Sequence, residues 1–223
     1  MIHPLPKSPA NPPPTLGTHV AIQLATMSVM PGRDDRTPAG SGVKLTYDDY
    51  VLFPEDGKRH ELIDGEHFLT PSPNTKHQTV AINLAGMIWS HLQEHPIGRV
   101  FTAPFDVVFS DFDVVEPDLL YLSTERGASV LTPTHVRGTP DLVVEIGSES
   151  TRRRDETIKR RLYERFGVSE YWVIDPELDA IKVYRRIGEH YQRTAELSLE
   201  HGDVLTTPLL PGCDLPLAKI FAE

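Results

Sequence analysis

Glu145 stands inside PDLVVEIG, an otherwise apolar run that reads as a strand buried on both faces. An ionised carboxylate buried there costs several kcal/mol unless an opposite charge neutralises it. An arginine, a lysine or a metal ion must therefore lie close by. Two more acids occupy similar settings, Glu61 in HELID and Asp118 in VVEPDLLYL. Asp141 shares a strand with Glu145 but lies roughly 13 Å away at ~3.3 Å per residue, too far to share one ion. It reads as a residue at the strand entrance, in solvent or in a salt bridge. Asp118 belongs to another strand, and if the two strands are neighbours the carboxylates approach to about 5 Å. Paired carboxylates at that spacing suit a hard divalent cation such as Mg²⁺. Such an ion lowers the pKa of a bound water and neutralises a scissile phosphate. The same two acids also fit a structural ion-pair network.

The segment after Glu145 is the other concentration of charge. STRRRDETIKRRLYERF carries Arg152, Arg153, Arg154, Lys159, Arg160, Arg161 and Arg165 against three acids, net +4 in a chain of net −10. It reads as a helix ending at Gly167. One role for it is a phosphate-binding flank, with Arg152, Arg153, Arg154 and Arg160 touching nucleic acid, since backbone charge dominates such affinity. The other is a solvated helix face.

The elements that position these residues can be read in order. TYDDYVLF predicts a short helix capped by Thr46. Arg59 to Thr70 predicts two strands around the turn Asp64-Gly65. Val80, Leu84, Met87, Ile88 and Leu92 recur at helical spacing and predict a long helix from about Asn74 to His95. Strands are expected at 99–102 and 105–109 as one short pair, at 114–122, at 140–146, at 169–176 and at 180–186, with another at 190–195. The order predicts an α/β domain around one mixed sheet. Trp172 and Tyr171 read as core, Asp175 as a turn former, and Cys213 as an inert residue of the tail.

The totals set limits. The 223 residues, 39% hydrophobic and 24% charged, suffice for one sizeable core. Residues 1–42, beginning with proline-rich MIHPLPKSPANPPPT, read as a disordered tail without a signal peptide. Residues 43–223 read as a single domain. A net charge of −10 excludes a globally basic nucleic-acid binder and leaves only a local patch. The single Cys213 excludes intramolecular disulfides and fits a reducing cytoplasm, and no apolar run is long enough for a membrane span.

ELIDGE, PSPNTKHQTV, EPDLLYL, PDLVVEIGSEST, the residues from Asp155 to Tyr163 and EYWVIDP, in this order, resemble the Uma2 (DUF820) family of the PD-(D/E)XK nuclease superfamily. The likeness spans about Leu45 to Arg186. It implies a restriction-endonuclease-like mixed β-sheet flanked by helices, and a Mg²⁺-dependent endonuclease acting on DNA, with Mn²⁺ as a substitute. Asp118 and Glu145 become metal ligands, 26 residues lying between them, and Glu61 the auxiliary acid. The superfamily lysine belongs two residues after the Glu, where this chain has Gly147. Lys159 on the following helix is the candidate replacement, and His77 or Gln78 lies within reach. Two cuts in a duplex need two sites, so a homodimer is expected. The departure at Gly147 also admits a catalytically inactive nuclease fold that binds nucleic acid or a protein.

Overall fold

A computed structural model describes residues 43–54, 56–70, 72–147 and 154–223, all within one compact unit. The tail 1–42 and the two arginines Arg152 and Arg153 lie outside the described residues.

The hairpin forms where Asp64-Gly65 predicts it. Strands β1 (Arg59–Ile63) and β2 (Glu66–Thr70) pair antiparallel, and both turn residues take positive φ, 53° and 75°. That geometry matches the twist of the flanking strands. Helix α1 (Tyr47–Tyr50) is held by a capping box between Thr46 and Asp49. Its aromatic residues and Phe53 cover Leu62, Val108 and Val114 in a small satellite core. Helix α2 (Thr75–Glu94) starts at Asn74, whose side chain accepts from His77 N at 2.9 Å. It buries Val80, Leu84, Ala85, Ile88 and Leu92, worth about 10 kcal/mol of gross transfer free energy.

Two sheets stand where one was expected. In the larger, β3 (Gly98–Thr102), β6 (Leu119–Ser123), β8 (Leu142–Ile146), β9 (Glu170–Asp175), β10 (Ala180–Ile187) and β11 (His190–Ser198) run in the order β11-β10-β9-β8-β6-β3. Only β8 and β9 are parallel there. The smaller sheet has the order β2-β1-β5-β4-β7, with β4 (Val107–Ser110), β5 (Asp113–Val115) and β7 (Val136–Arg137). Helix α3 (Thr124–Val130), capped by Ser123 and not anticipated, leads towards β7. Helix α4 lies between the parallel strands β8 and β9 in the chain. Its described part includes a π-helical turn, Asp155–Lys159, followed by α-helix over Arg160–Arg165. A short pair, β12 (Val204–Leu205) with β13 (Leu215–Pro216), and α5 (Leu217–Ile220) close the chain.

The larger sheet is buried on both faces, as the apolar β8 requires. One face packs on α2 and the C-terminal segment through Leu119, Tyr121, Val144 and Trp172. The other packs on α4 and the smaller sheet through Leu120, Val143, Tyr163 and Tyr171. No helix among the described residues is long and apolar enough to cross a membrane.

Residues 99–102 and 105–109 do not pair with each other. They fall in different sheets, because the chain passes from one to the other around Ala103-Pro104. The run 114–122 is likewise not one strand. It breaks at Glu116-Pro117-Asp118, where Pro117 offers no N–H to a ladder, and crosses from the smaller sheet to the larger. This crossing puts two acids at the seam between the sheets. Gly98 marks a close approach of another kind. A Cβ there would meet Leu122 O at 2.3 Å and the Tyr121 ring at 2.5 Å. Gly98→Ala is expected to destabilise the fold by about 2 kcal/mol through a forced shift of β3 against β6, measured as a lower midpoint in urea.

Candidate active site

The register of β6 and β8 decides the first question about the acids. The ladder ends with Leu119 opposite Val144, and Asp118 lies one residue beyond that end, at the Glu145–Ile146 end of β8. The pairing is sealed by Asp118, whose Oδ2 accepts from Ile146 N at 2.8 Å.

The cation that Glu145 requires is Lys159. Its ammonium sits 2.9 Å from Glu145 Oε1 and 2.8 Å from Glu61 Oε1. Tyr163, one helical turn beyond Lys159, donates its hydroxyl to the same Glu145 oxygen at 2.5 Å. All four side chains are almost wholly buried. The π-helical turn that ends at Lys159 points the side chain inward, and such turns recur at functional sites. Glu61 reaches this point because β1 alternates, so Arg59, Glu61 and Ile63 share the face towards the larger sheet. Its second oxygen accepts from Thr70 Oγ1 at 3.2 Å and lies 3.6 Å from Arg154. Glu116 N donates to Oε1 at 3.1 Å.

Asp118 is held from the other side. Arg59 Nη1 lies 2.6 Å from its Oδ1, and His77 Nε2 lies 3.2 Å from its Oδ2. Arg59 also donates to Glu116 O. These residues line a cleft of about 440 Å³ between the β1 approach, the first turns of α2 and the seam at Glu116 and Asp118. Lys58 and Gln78 also face it. Asp118 therefore opens onto a groove, while Glu61 and Glu145 lie deeper.

Protein cations reach each of the three acids. Among the described residues, Glu61, Asp118 and Glu145 meet Arg59, Arg154 and Lys159, and Glu116 and Asp155 are further buried acids beside them. Burial pushes Glu61 up, but Lys159 and Arg154 outweigh it and hold the carboxyl below its ordinary range. Burial likewise opposes the ionisation of Asp118, and His77 and Arg59 overcome it. Glu145 moves the other way. Its burial outweighs Lys159, and Asp155, Asp118 and Glu61 add negative charge, so its carboxyl is raised. Lys159 stays protonated because Glu145 and Glu61 outweigh its desolvation. Burial and Asp106 push Glu116 up to about 7.

Do these residues fit a divalent ion? Among the described residues no group of three or more His, Cys, Asp or Glu side chains is arranged to hold one. Mg²⁺, however, is commonly held by one or two carboxylates and keeps several waters. Two hard oxygen donors on adjacent strands, one of them open to a cleft, fit that chemistry.

Of the other residues marked by the sequence, Arg154 turns inward to Thr70 and Glu61, with its guanidinium 5.8 Å from the Phe68 ring. It belongs with the cations that reach the acids and is not a free phosphate contact. Arg160 lies over Tyr184. Arg152 and Arg153 fall outside the described residues. Asp141 lies at the start of β8, bonded by Ser123 N at 2.7 Å and near Arg126 at 3.5 Å, as a salt-bridged entrance residue should be. Trp172 and Tyr171 are core, and Asp175 caps its turn by accepting from Glu177 N. Sequence reasoning missed Arg59, Glu116 and Tyr163. Period two from Glu61 and Asp118, and the four-residue spacing from Lys159, were the signals available.

The fold has a known counterpart. The crystal structure of a putative nuclease belonging to DUF820 from Anabaena variabilis superposes with a TM-score of 0.67 at 22% identity, covering 80% of this chain and 98% of that one. No curated protein matches the chain. A family model described as Uma2, putative restriction endonuclease, matches residues 47–218. That match spans every element that carries the acids, Lys159 and the cleft, and the chain belongs to the Uma2 family.

Proposed function

We propose that the protein is a Mg²⁺-dependent endonuclease that hydrolyses phosphodiester bonds in DNA. One observation carries this reading. Lys159, from a helix, places its ammonium between Glu61 and Glu145, and in this reading it stands in for the cation that Gly147 cannot supply. Mg²⁺, or Mn²⁺ in its place, held by Asp118 and Glu145 would provide charge neutralisation at the phosphate and a water of lowered pKa.

The chain's own groups do the rest. Lys159 orients the attacking water and stabilises charge growing on the phosphate oxygens. Glu61 fixes Lys159, and Tyr163 fixes Glu145. His77 steadies Asp118 at the cleft. Lys58 and Gln78 line the groove in which a DNA strand would lie.

The test is cleavage of supercoiled plasmid DNA with Mg²⁺ against the same reaction in chelator. Nicked and linear products that require the metal support the reading; intact plasmid with both Mg²⁺ and Mn²⁺ sinks it. A second reading, a nuclease fold that binds without cutting, is favoured by Gly147 and by the protein cations that already hold Asp118, Glu61 and Glu145. A protein that shifts DNA in a gel yet binds no Mn²⁺ in a calorimeter would establish it.

A further inference from the structure

Of Arg59, Arg154 and Lys159, it is Arg59 that lines the cleft. It bonds Asp118 at 2.6 Å and donates to the backbone of Glu116. Its Nε, buried and without a hydrogen-bond partner, stops 3.9 Å from Glu116 Oε2, which also has none. Lys159 and Arg154 are locked further in, each by contacts to β1 or β2. Asp118 Oδ2 is taken by Ile146 N and His77, and its Oδ1 by Arg59. An ion that takes Asp118 must displace one of these partners, and among the described cations that touch the three acids Arg59 has a cleft to leave into.

We propose that Arg59 is a stand-in cation: it holds Asp118 while no metal is bound, and yields that carboxylate to the ion and turns to the DNA phosphate in the cleft. The idea rests on the metal-dependent reading above. A guanidinium suits both duties, since it matches carboxylate and phosphate alike through its fork of N–H donors. It also explains how two buried acids persist in a folded protein before any ion arrives, because an unpaired buried charge is strongly destabilising.

Calorimetry with Mn²⁺ on the full chain separates the outcomes. Arg59→Met removes the competitor for Asp118, so Mn²⁺ should bind about tenfold tighter or more. A short DNA duplex, followed by anisotropy in Ca²⁺, should bind the variant about tenfold more weakly. A residue that merely supports the fold would leave the ion equally or more weakly bound when removed. Equal or weaker Mn²⁺ binding by Arg59→Met, beside a wild type that binds, overturns the stand-in role and leaves the nuclease reading in place. Undiminished duplex binding overturns the turn to phosphate. No Mn²⁺ binding by either protein overturns both the stand-in and the metal-dependent reading. Should Arg59→Met fail to fold, Arg59→Lys carries the test. An ammonium lacks the guanidinium fork that holds Asp118 and Glu116 O together, so the hold on Asp118 weakens and Mn²⁺ should bind tighter than to the wild type; equal affinity overturns the proposal.

Discussion

Asp118→Asn and Glu145→Gln each lower metal-dependent plasmid cleavage about 10³-fold, equivalent to about 4 kcal/mol of transition-state stabilisation. Both changes keep the side-chain volume, so packing around β6 and β8 survives. What each removes is a formal charge from a pair of acids on adjacent strands. The two should differ in detail. Asp118 opens onto the cleft, so Asp118→Asn should raise the Mg²⁺ concentration needed for half-maximal rate. Glu145 also takes the Lys159 and Tyr163 hydrogen bonds. Glu145→Gln should therefore disturb the position of the ammonium as well, and more Mg²⁺ should not restore it. Initial rates of nicking across a Mg²⁺ series measure both effects. Cleavage at the wild-type rate in either variant would remove these residues from the chemistry.

Lys159→Met destabilises the protein by about 3–5 kcal/mol at alkaline pH. Methionine nearly fills the space of the lysine stem, so the loss is one of charge. Glu61 and Glu145 then share a buried site with no ammonium between them. Glu145, already raised by burial, then loses the charge that opposes the rise, and Glu61 loses the strongest of the charges that lower it. A carboxyl raised in this way costs stability as pH climbs past its unfolded value, and the cost vanishes below it. The gap between wild type and variant is therefore widest above neutrality and closes towards pH 4.5, the ordinary value of an unfolded glutamate. Adding Glu145→Gln to Lys159→Met removes one stranded charge and should recover a large part of the loss. Urea unfolding of the three proteins at alkaline and acidic pH measures this, and a gap that does not narrow on acidification contradicts the account.

Much of the framework was legible in the chain. The turn at Asp64-Gly65, the Thr46 and Asn74 caps and the apolar spacing of α2 each announce local structure through local chemistry. The buried carboxylate in PDLVVEIG demanded a cation, and the missing lysine at Gly147 directed attention to the helix that follows. These are one-dimensional signals, because caps, turns and periodicity act within a few residues. The break at Pro117 was written there too, yet the apolar residues on either side masked it.

What the folded chain alone decided is which charges meet. Arg59 and Asp118 are brought together by a strand crossing between two sheets, and nothing in their neighbours foretells it. Arg154, one of a run of arginines, turned out to be bound inward to the auxiliary acid. Residue type and spacing determine that a carboxylate needs a partner. Electrostatic attraction depends on distance through space, so only the packing of β1, β8 and α4 settles which partner it receives.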